Sequence, residues 1–200
     1  MYKFKLFYHP IYTYGINKNS KFPRERYELI KEKLEEEKIL IDFQKPDLAK
    51  VEDIILGHDE RYVSSFINGL LSQREIRKIG LQPWTKDIIN RTLYILGGSI
   101  EAMKSAIKGK NLAGNMAGGT HHAHFSYGSG YCIFNDLAIC AIKAVKEFKE
   151  INKVLIIDLD VHQGDGTATI LKTYKNIFTF SMHCKNNFPL KKVRSDLDVP

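Results

Sequence analysis

The feature that most constrains this chain is a core-type strand that ends in ionisable side chains, in 154-VLIIDLDVHQGDG-166. Its four leading apolar residues predict a buried strand. Asp158, Asp160, His162 and Asp165 follow within eight positions. Because charged groups are costly to bury unless they are paired or bind a metal ion, the stretch predicts a functional site at the end of a strand.

We expect this strand to cover residues 153–161. The period of two along a strand then turns Asp158, Asp160 and His162 to one face, at the carboxyl end where parallel α/β sheets bind ligands. An aspartate and a histidine two residues apart can aim two ligands at one metal ion. In the structural alternative, the carboxylates form salt bridges and Asp165 is a turn or N-cap residue. That alternative would explain a single aspartate, but it explains poorly three aspartates and a histidine within eight residues.

A second cluster is the glycine-rich segment 117-AGGTHHAHF-125. Histidine is a general acid or base near neutral pH, and it works with a carboxylate on its far ring nitrogen. The simplest metal site leaves two aspartates unused, Asp158 and Asp165. The segment offers the same number of adjacent histidines, His121 and His122. These counts predict two His–Asp dyads beside one metal ion.

Two neighbouring features carry weaker signals. His124 has no carboxylate partner in view and is interpreted as a loop residue. The segment 128-GSGYCIFND-136 places two glycines and an aromatic residue beside the predicted site, which is typical of the wall of a narrow slot. Such a slot would hold an aliphatic chain, although for Phe134 we favour plain core packing.

Strands alternate with helices along the rest of the chain, which predicts an α/β fold with an open, mostly parallel sheet flanked by helices. Asn135 is the expected N-cap of a helix over 136–149, and Thr85 that of a longer helix. Without a linker or a repeat, residues 1–200 are interpreted as one domain. Further strands are predicted at residues 3–8, 39–43, 111–117 and 177–182, and further helices from Pro23 and over 167–174.

Composition limits the classes of binding partner and the cellular compartment that we expect for this chain. Lys and Arg number 30 against 23 acids, but the mixed charges of 31-KEKLEEEK-38 indicate a solvated surface, so no direct nucleic-acid binding is expected. No apolar run approaches the roughly 18 residues of a membrane span. Three cysteines without a CxxC pair favour reduced thiols. We therefore expect a cytoplasmic protein without a membrane partner.

The motifs GGTHHA, GSGYCIFND, DLDVHQGDG and FSMH, in this order and spacing, resemble the histone deacetylase superfamily. The similarity is greatest to its class IV and bacterial branch, and 22-FPRERYELI-30, 57-GHDERYV-63 and 196-DLDVP-200 extend it over the whole chain. The resemblance implies an open fold of the arginase–deacetylase type. It also implies a zinc-dependent, or sometimes iron-dependent, hydrolase that removes acetyl groups from lysine side chains or related amines.

The resemblance further implies two metal sites. Asp160 and His162 would be ligands of the catalytic Zn²⁺, or Fe²⁺, which would polarise the acetyl carbonyl and lower the pKa of its bound water. A structural K⁺ would lie nearby, with ligands from Asp158, from the backbone of Asp160 and His162, from Ser181 and from the Met182 carbonyl.

The same resemblance assigns the catalytic pairs and the substrate tunnel. His121 would be backed by Asp158 and His122 by Asp165, with one histidine taking the water proton and the other protonating the leaving amine. The acyl-lysine tunnel would be lined by Gly130, Tyr131 and Phe188. The implied partner is an acetylated lysine in a protein or an acetylated small amine.

Two elements of the family's site have no match in this sequence, namely a third metal ligand, which is a second aspartate, and an oxyanion-stabilising tyrosine. Asp196 and Asp198 are interpreted as surface-loop residues and not as that ligand. We therefore expect the N-terminal part of a deacetylase, with an exposed sheet edge. With two protein ligands where catalytic zinc normally has three, we expect little or no activity.

Three alternatives stay open. An arginase-like ureohydrolase would share the fold, but its binuclear manganese site uses a DxHxD run, and 160-DVHQGD-165 has one residue too many. A non-catalytic module would keep the fold without the chemistry. An enzyme for acetylated polyamines or other small acyl amides is the third, because a net charge of +7 disfavours encounter with cationic histone tails.

Overall fold

The computed structural model describes residues 4–200, so the first position of the predicted strand 3–8 lies outside the described residues. The strands are β1 Phe4–Phe7, β2 Ile41–Gln44, β3 Ala113–Asn115, β4 Val154–Asp158, β5 Ile177–Met182 and β6 Leu197–Val199. The helices are α1 Ile11–Tyr14, α2 Arg26–Glu36, α3 Val51–Ile54, α4 Glu60–Ile67, α5 Gln73–Ile79, α6 Asp87–Gly109, α7 Asp136–Glu147 and α8 Asp165–Leu171.

The chain divides into two compact units. One consists of residues up to Lys50 together with Phe66–Gly118, and the other consists of Val51–Ser65 together with Gly119–Pro200. Every candidate site residue of the sequence belongs to the second unit. No helix among residues 4–200 is long and apolar enough to cross a membrane.

The first unit is built on a parallel sheet in the order β2-β1-β3. The long helix α6 contributes the buried Arg91, whose Nε donates to the carbonyl of Tyr12 over 2.9 Å. The prediction of Thr85 as the N-cap of this helix is wrong, because α6 begins at Asp87 after Lys86. The buried hydroxyl of Thr85 has no hydrogen-bond partner among the described residues.

The second unit carries the parallel sheet β4-β5-β6, in which Val154 pairs with Ile177 and Asp158 with Ser181. Asn135 caps α7 as predicted, since its side chain accepts a hydrogen bond from the Ala138 N–H. Buried side chains of α7 and α8 pack against one face of β4 and β5, which places the core of this unit on that side. Its members are Ala138, Ala141, Ile142, Ile156, Leu171 and Ile177.

The opposite face of this sheet is apolar and exposed, and we call it the open sheet face. It follows from strand alternation, which turns Ile156 into the core and its neighbours outward. The exposed fractions of its members lie between 46% and 59%. They are Leu155, Ile157, Phe178, Met182 and Leu197.

The strand predicted over 153–161 is shorter than expected, because β4 ends at Asp158. The Asp160 N–H donates to Asp158 Oδ1 over 3.1 Å, and the His162 N–H donates to Asp160 Oδ1 over 2.8 Å. Aspartate side chains that bond the backbone two residues on compete with the ladder of a sheet. Asp160 and His162 are therefore presented by a loop and not by a strand face.

Candidate active site

The first buried pair of the site joins His121 to Asp158. Nδ1 of His121 lies 2.6 Å from Asp158 Oδ2, and both side chains are buried. The backbone of Gly164 lies so close to this pair that a Cβ there would clash with the Asp158 carboxylate. The other ring nitrogen, Nε2 of His121, lies 3.9 Å from Asp160 Oδ1, a separation that a bridging water could fill.

The second buried pair joins His122 to Asp165. Nδ1 of His122 lies 2.7 Å from Asp165 Oδ1, which also accepts from the Gly166 N–H over 3.0 Å. The centroids of the His121 and His122 rings are 4.0 Å apart. The structure thus places both histidine–aspartate pairs that the sequence suggested side by side. Asp158 is the last residue of β4, and Asp165 is the first residue of α8.

Local hydrogen bonds hold the histidine loop in place. The Asp136 carboxylate accepts from the backbone N–H groups of Gly119 and Thr120, at 3.1 and 2.8 Å. Nδ2 of Asn135 donates to the carbonyl of Ala123 over 3.1 Å and lies 3.4 Å from that of His121. Both helix-start residues therefore satisfy loop groups that secondary structure leaves unpaired.

His58 is a buried, hydrogen-bonded neighbour of the histidine loop that sequence reasoning missed. Its Nε2 accepts from the Asn135 N–H over 2.8 Å, so its Nδ1 must carry the proton that reaches the Phe125 carbonyl at 3.2 Å. Burial lowers the pKa of His58 to about 4, so its ring is neutral at pH 7. The available signal was its place in the family-like segment 57-GHDERYV-63.

The interpretation of His124 as an unpartnered loop residue is wrong. Nε2 of His124 lies 3.2 Å from Asp165 Oδ2, and its Nδ1 lies 2.9 Å from the Thr169 hydroxyl. Its ring also stacks on Tyr127, with centroids 4.5 Å apart. Sequence order hid this contact, because Asp165 lies 41 residues further along the chain.

The two paired histidines have pKa values moved in opposite directions. Burial opposes the charged form of His121, but the hydrogen bond and charge of Asp158 overcome it and raise its pKa. At His122, burial and the nearby His121 and His162 outweigh Asp165, so its pKa is lowered. Burial would raise the pKa of Asp165, yet the bonds from His122 and His124 hold it below the ordinary value.

Asp160 and His162, the two predicted metal ligands, contact each other. Asp160 Oδ1 lies 2.9 Å from His162 Nδ1, and both side chains are partly exposed. Because zinc lies about 2 Å from nitrogen and oxygen ligands, donors this close fit one ion in kind. They do not fit in number, since within residues 4–200 no group of three or more His, Cys, Asp or Glu side chains could hold a metal ion.

Of the three predicted tunnel residues, Gly130 and Phe188 lie beside His122, and Tyr131, which follows Gly130, is exposed. A Cβ at Gly130, where φ is 52°, would lie 2.8 Å from His122 Cδ2 and 3.1 Å from Phe188. The His122 and Phe188 rings meet edge to face with centroids 4.8 Å apart. Tyr131 is 43% exposed, whereas Phe134 is buried beside His58, so core packing describes Phe134 correctly.

Of the residues implied for K⁺, Asp158 and Ser181 are buried neighbours on β4 and β5. Asp160 and His162, whose backbone groups are implied, lie in the adjoining loop, and Met182, whose carbonyl is implied, is the last residue of β5. The Ser181 hydroxyl lies 3.0 Å from His183 Nδ1.

The prediction that Asp198 belongs to a surface loop is wrong, because Asp198 lies in β6. Its Oδ1 accepts from Gln163 Nε2 over 2.8 Å, and its Oδ2 accepts from the Ser195 N–H over 3.0 Å. Asp196 accepts from the Thr179 N–H over 2.8 Å. Asp196 is therefore bound to β5, and Asp198 is bound to Gln163 and Ser195, so the hydrogen bonds that the two carboxylates accept lie outside the metal pair.

Fold and site together define a class: an α/β protein with paired histidine–aspartate dyads at the carboxyl ends of parallel strands. The chain belongs to the histone deacetylase family, because the model of the histone deacetylase domain matches residues 20–198. The family and the parallel α/β fold inferred from the motifs are both confirmed. The family is one of metal-dependent deacetylases, which are hydrolases.

Known proteins support this assignment. An uncharacterized protein of Picosynechococcus sp. is 43% identical over 201 residues, with 98% of this chain and 65% of that protein covered. Acetoin utilization protein AcuC of Staphylococcus aureus is 34% identical over 151 residues, with 72% and 38% covered. Histone deacetylase 6 of Arabidopsis thaliana is 31% identical over 160 residues, with 74% and 33% covered.

A crystal structure of the HDA15 HD domain shares the fold. Its TM-score is 0.76 at 18% identity, with 96% of this chain and 57% of that chain covered. The chain thus spans between 33% and 65% of the length of the three curated relatives.

Proposed function

We propose that this chain carries the proton-transfer part of a zinc-dependent deacetylase site that hydrolyses acetyl-lysine-type amides. The observation that carries the proposal is the pair of buried dyads, with Nδ1 of His121 and His122 at 2.6 and 2.7 Å from Asp158 and Asp165. Two adjacent dyads supply an acid and a base at one point, which amide hydrolysis requires. The family assignment over residues 20–198 supports the same chemistry.

Each dyad fixes which ring nitrogen exchanges protons with the substrate. Because Asp165 accepts from Nδ1 of His122, Nε2 of His122 is the nitrogen that would take the proton of the attacking water. Nε2 of His121 would hold the proton destined for the leaving amine, supported by Asp158. A zinc or iron ion bound through Asp160 and His162 would supply Lewis acidity and a more acidic water.

Gly130, Tyr131 and Phe188 would line the passage for the acyl-lysine side chain. The absence of a side chain at Gly130 leaves room between His122 and Phe188, where a Cβ would crowd both rings. The aromatic edges would exclude water from the aliphatic part of the substrate. Ser181 and Asp158, with Met182 and the metal-binding loop, would hold the structural K⁺.

Residues 1–200 alone should hold zinc weakly and turn over little or no substrate. Asp160 and His162 are the two proposed ligands, catalytic zinc normally has three, and no group of three or more His, Cys, Asp or Glu side chains among the described residues could hold a metal ion. A decisive test joins residues 1–200 to the remaining third of the Picosynechococcus relative, with that relative as the reference. We expect the chimera to bind about one zinc per chain and to hydrolyse an acetyl-lysine peptide. Full zinc occupancy without hydrolysis, where the relative is active, would contradict the proposal.

Two substitutions in the chimera separate the roles. His162→Ala should abolish zinc binding. His122→Ala should leave zinc bound and lower kcat by at least about 100-fold, the contribution expected of a positioned general base. Near-normal turnover of His122→Ala would exclude His122 as the base.

The two-donor metal site also supports a second candidate, a non-catalytic module that keeps the fold. The same chimera distinguishes it, since such a module would bind no stoichiometric zinc. Hydrolysis of acetylated polyamines in preference to an acetyl-lysine peptide would instead indicate an enzyme for small acyl amides.

A further inference from the structure

The two dyads differ in what holds their carboxylates. Asp158 receives one histidine, His121, on Oδ2, and its Oδ1 accepts from the backbone N–H of Asp160. Asp165 receives two histidines, with Oδ1 2.7 Å from His122 Nδ1 and Oδ2 3.2 Å from His124 Nε2. In the second dyad, one buried carboxylate therefore bridges two imidazole rings.

Further contacts hold the His124 ring and backbone in place. Its Nδ1 lies 2.9 Å from the hydroxyl of Thr169, which belongs to α8, the helix that Asp165 begins. Its ring stacks on Tyr127, and its backbone N–H donates to the Tyr127 carbonyl over 2.9 Å. The ring thus meets Asp165 from a fixed direction.

We propose that His124 is a positioning residue that clamps the Asp165 carboxylate and thereby fixes the orientation of His122. This role rests on the proposed function, in which Nε2 of His122 exchanges the proton of the attacking water. Apart from His124, the hydrogen-bond partners of the Asp165 carboxylate among the described residues are His122 and the Gly166 N–H, and both bind Oδ1. A carboxylate held through one oxygen turns easily about its terminal torsion, because that torsion has broad minima. A second N–H donor on the other oxygen sets the plane of the group, and so keeps Oδ1 on the Nδ1–H of His122.

The chain offers matched variants that separate the donor from the ring. His124→Phe keeps an aromatic surface against Tyr127 but removes both ring nitrogens. His124→Gln loses the ring but supplies an amide N–H at a distance from the backbone similar to that of Nε2. Thr169→Val removes the hydroxyl at Nδ1 of His124, together with its bond to the Gly166 carbonyl, with little change in size.

The test is nitrogen-15 and proton NMR of the full 200-residue chain labelled at histidine, at one fixed pH. The readout is the rate at which the Nδ1 proton of His122 exchanges with water. The Nδ1 proton of His121, held by Asp158, is the internal control in the same molecule. The measurement requires no metal and no turnover.

We expect His124→Phe to speed exchange of the His122 proton by about tenfold, the factor for losing one hydrogen bond to a charged group. The His121 proton should change by less than about twofold, the scale expected for an uncoupled site. His124→Gln should restore most of the protection at His122. Thr169→Val should speed exchange in the same direction but less, and it replaces His124→Phe if that variant does not fold.

An unchanged His122 exchange rate in His124→Phe, or in Thr169→Val if it is the replacement, overturns the inference. Equal losses in the Phe and Gln variants also overturn it, because they would assign the effect to ring packing and not to the N–H donor. A chimera without hydrolysis, in contrast, counts against the proposed function alone, since the exchange rates are read without catalysis.

Discussion

At the scale of the residue, the ionisable groups of the site are buried only where a partner offsets the loss of water. His121, His122 and Asp165 each have a partner within 3.2 Å, as buried charged groups require. The partners are not equivalent, since the pKa of His121 is raised while that of His122 is lowered. Environments that push two pKa values apart are what an acid and a base in one site need.

His58 gives a pH-dependent stability that can be measured. Its pKa is lowered to about 4 in the folded chain against about 6.5 when unfolded. The unfolded state therefore binds the extra proton between these values, and stability is lost as the pH falls through that window. Between pH 7.5 and pH 5 the loss from this residue should be about 2 kcal/mol.

Urea unfolding followed by circular dichroism at both pH values checks the prediction. His58→Gln is the matched variant, because an amide can replace the imidazole without titrating. Its free energy of unfolding should fall less between the two pH values than that of the unsubstituted chain, by about 2 kcal/mol. Equal losses in the two proteins would show that His58 does not contribute.

At the scale of the element, the site is built from the places where regular structure begins and ends. β4 stops at Asp158 because aspartate side chains take over the next backbone N–H groups. α7 begins after Asn135, whose fully buried side chain also binds the loop that carries His121. The helix cap and the histidine loop therefore depend on the same amide.

Asn135→Ala should cost more than the loss of an ordinary helix cap. It removes the bond from the Ala138 N–H at 3.0 Å and the Nδ2 donor to the Ala123 carbonyl and the Thr167 hydroxyl. We expect a loss of about 3 kcal/mol in the free energy of unfolding, from one cap and buried acceptors left unpaired.

Two variants provide the comparison for this measurement by urea unfolding. Ser72→Ala removes the exposed capping box of α5 and should cost about 1 kcal/mol. Asn135→Ser keeps a capping oxygen without the Nδ2 donor, so a loss smaller than that of Asn135→Ala would show that the cap contributes. A loss for Asn135→Ala no larger than that for Ser72→Ala would contradict the shared role.

At the scale of the whole molecule, the open sheet face is the surface that we expect to drive self-association. Five large apolar side chains share it, each 46% to 59% exposed, and contiguous apolar surface of this kind promotes association. A net charge of +7 opposes association at low ionic strength. Salt, which screens that repulsion, should therefore favour it.

We expect the 200-residue chain to self-associate with rising concentration and salt, as measured by sedimentation velocity. Leu155→Lys combined with Ile157→Lys places two charges on the open sheet face and should shift the chain toward the monomer. Leu70→Lys is the control, because Leu70 is 73% exposed but lies outside that face. A monomer at every concentration and salt, or an equal effect of the control, would contradict this prediction.

The sequence determined by itself the elements whose signals are local. Apolar runs located β4 and β5, Asn135 marked the start of α7, and the motifs identified the family. They also named both His–Asp pairs, because each motif supplies its residue types at fixed spacing. The cap signal failed at Thr85, because the observed N-cap is Lys86 and the helix begins one residue later than predicted.

Only the tertiary structure decided how distant residues meet. β4 ends where aspartate side chains bind the next backbone N–H groups. For this reason Asp160 and His162 do not lie on the strand face that the period of two had predicted. His124 reaches Asp165 across 41 residues, and His58 reaches Asn135 across 77. Such contacts carry no local pattern, because they follow from where the packed core brings the loops together, and burial then makes each hydrogen bond obligatory.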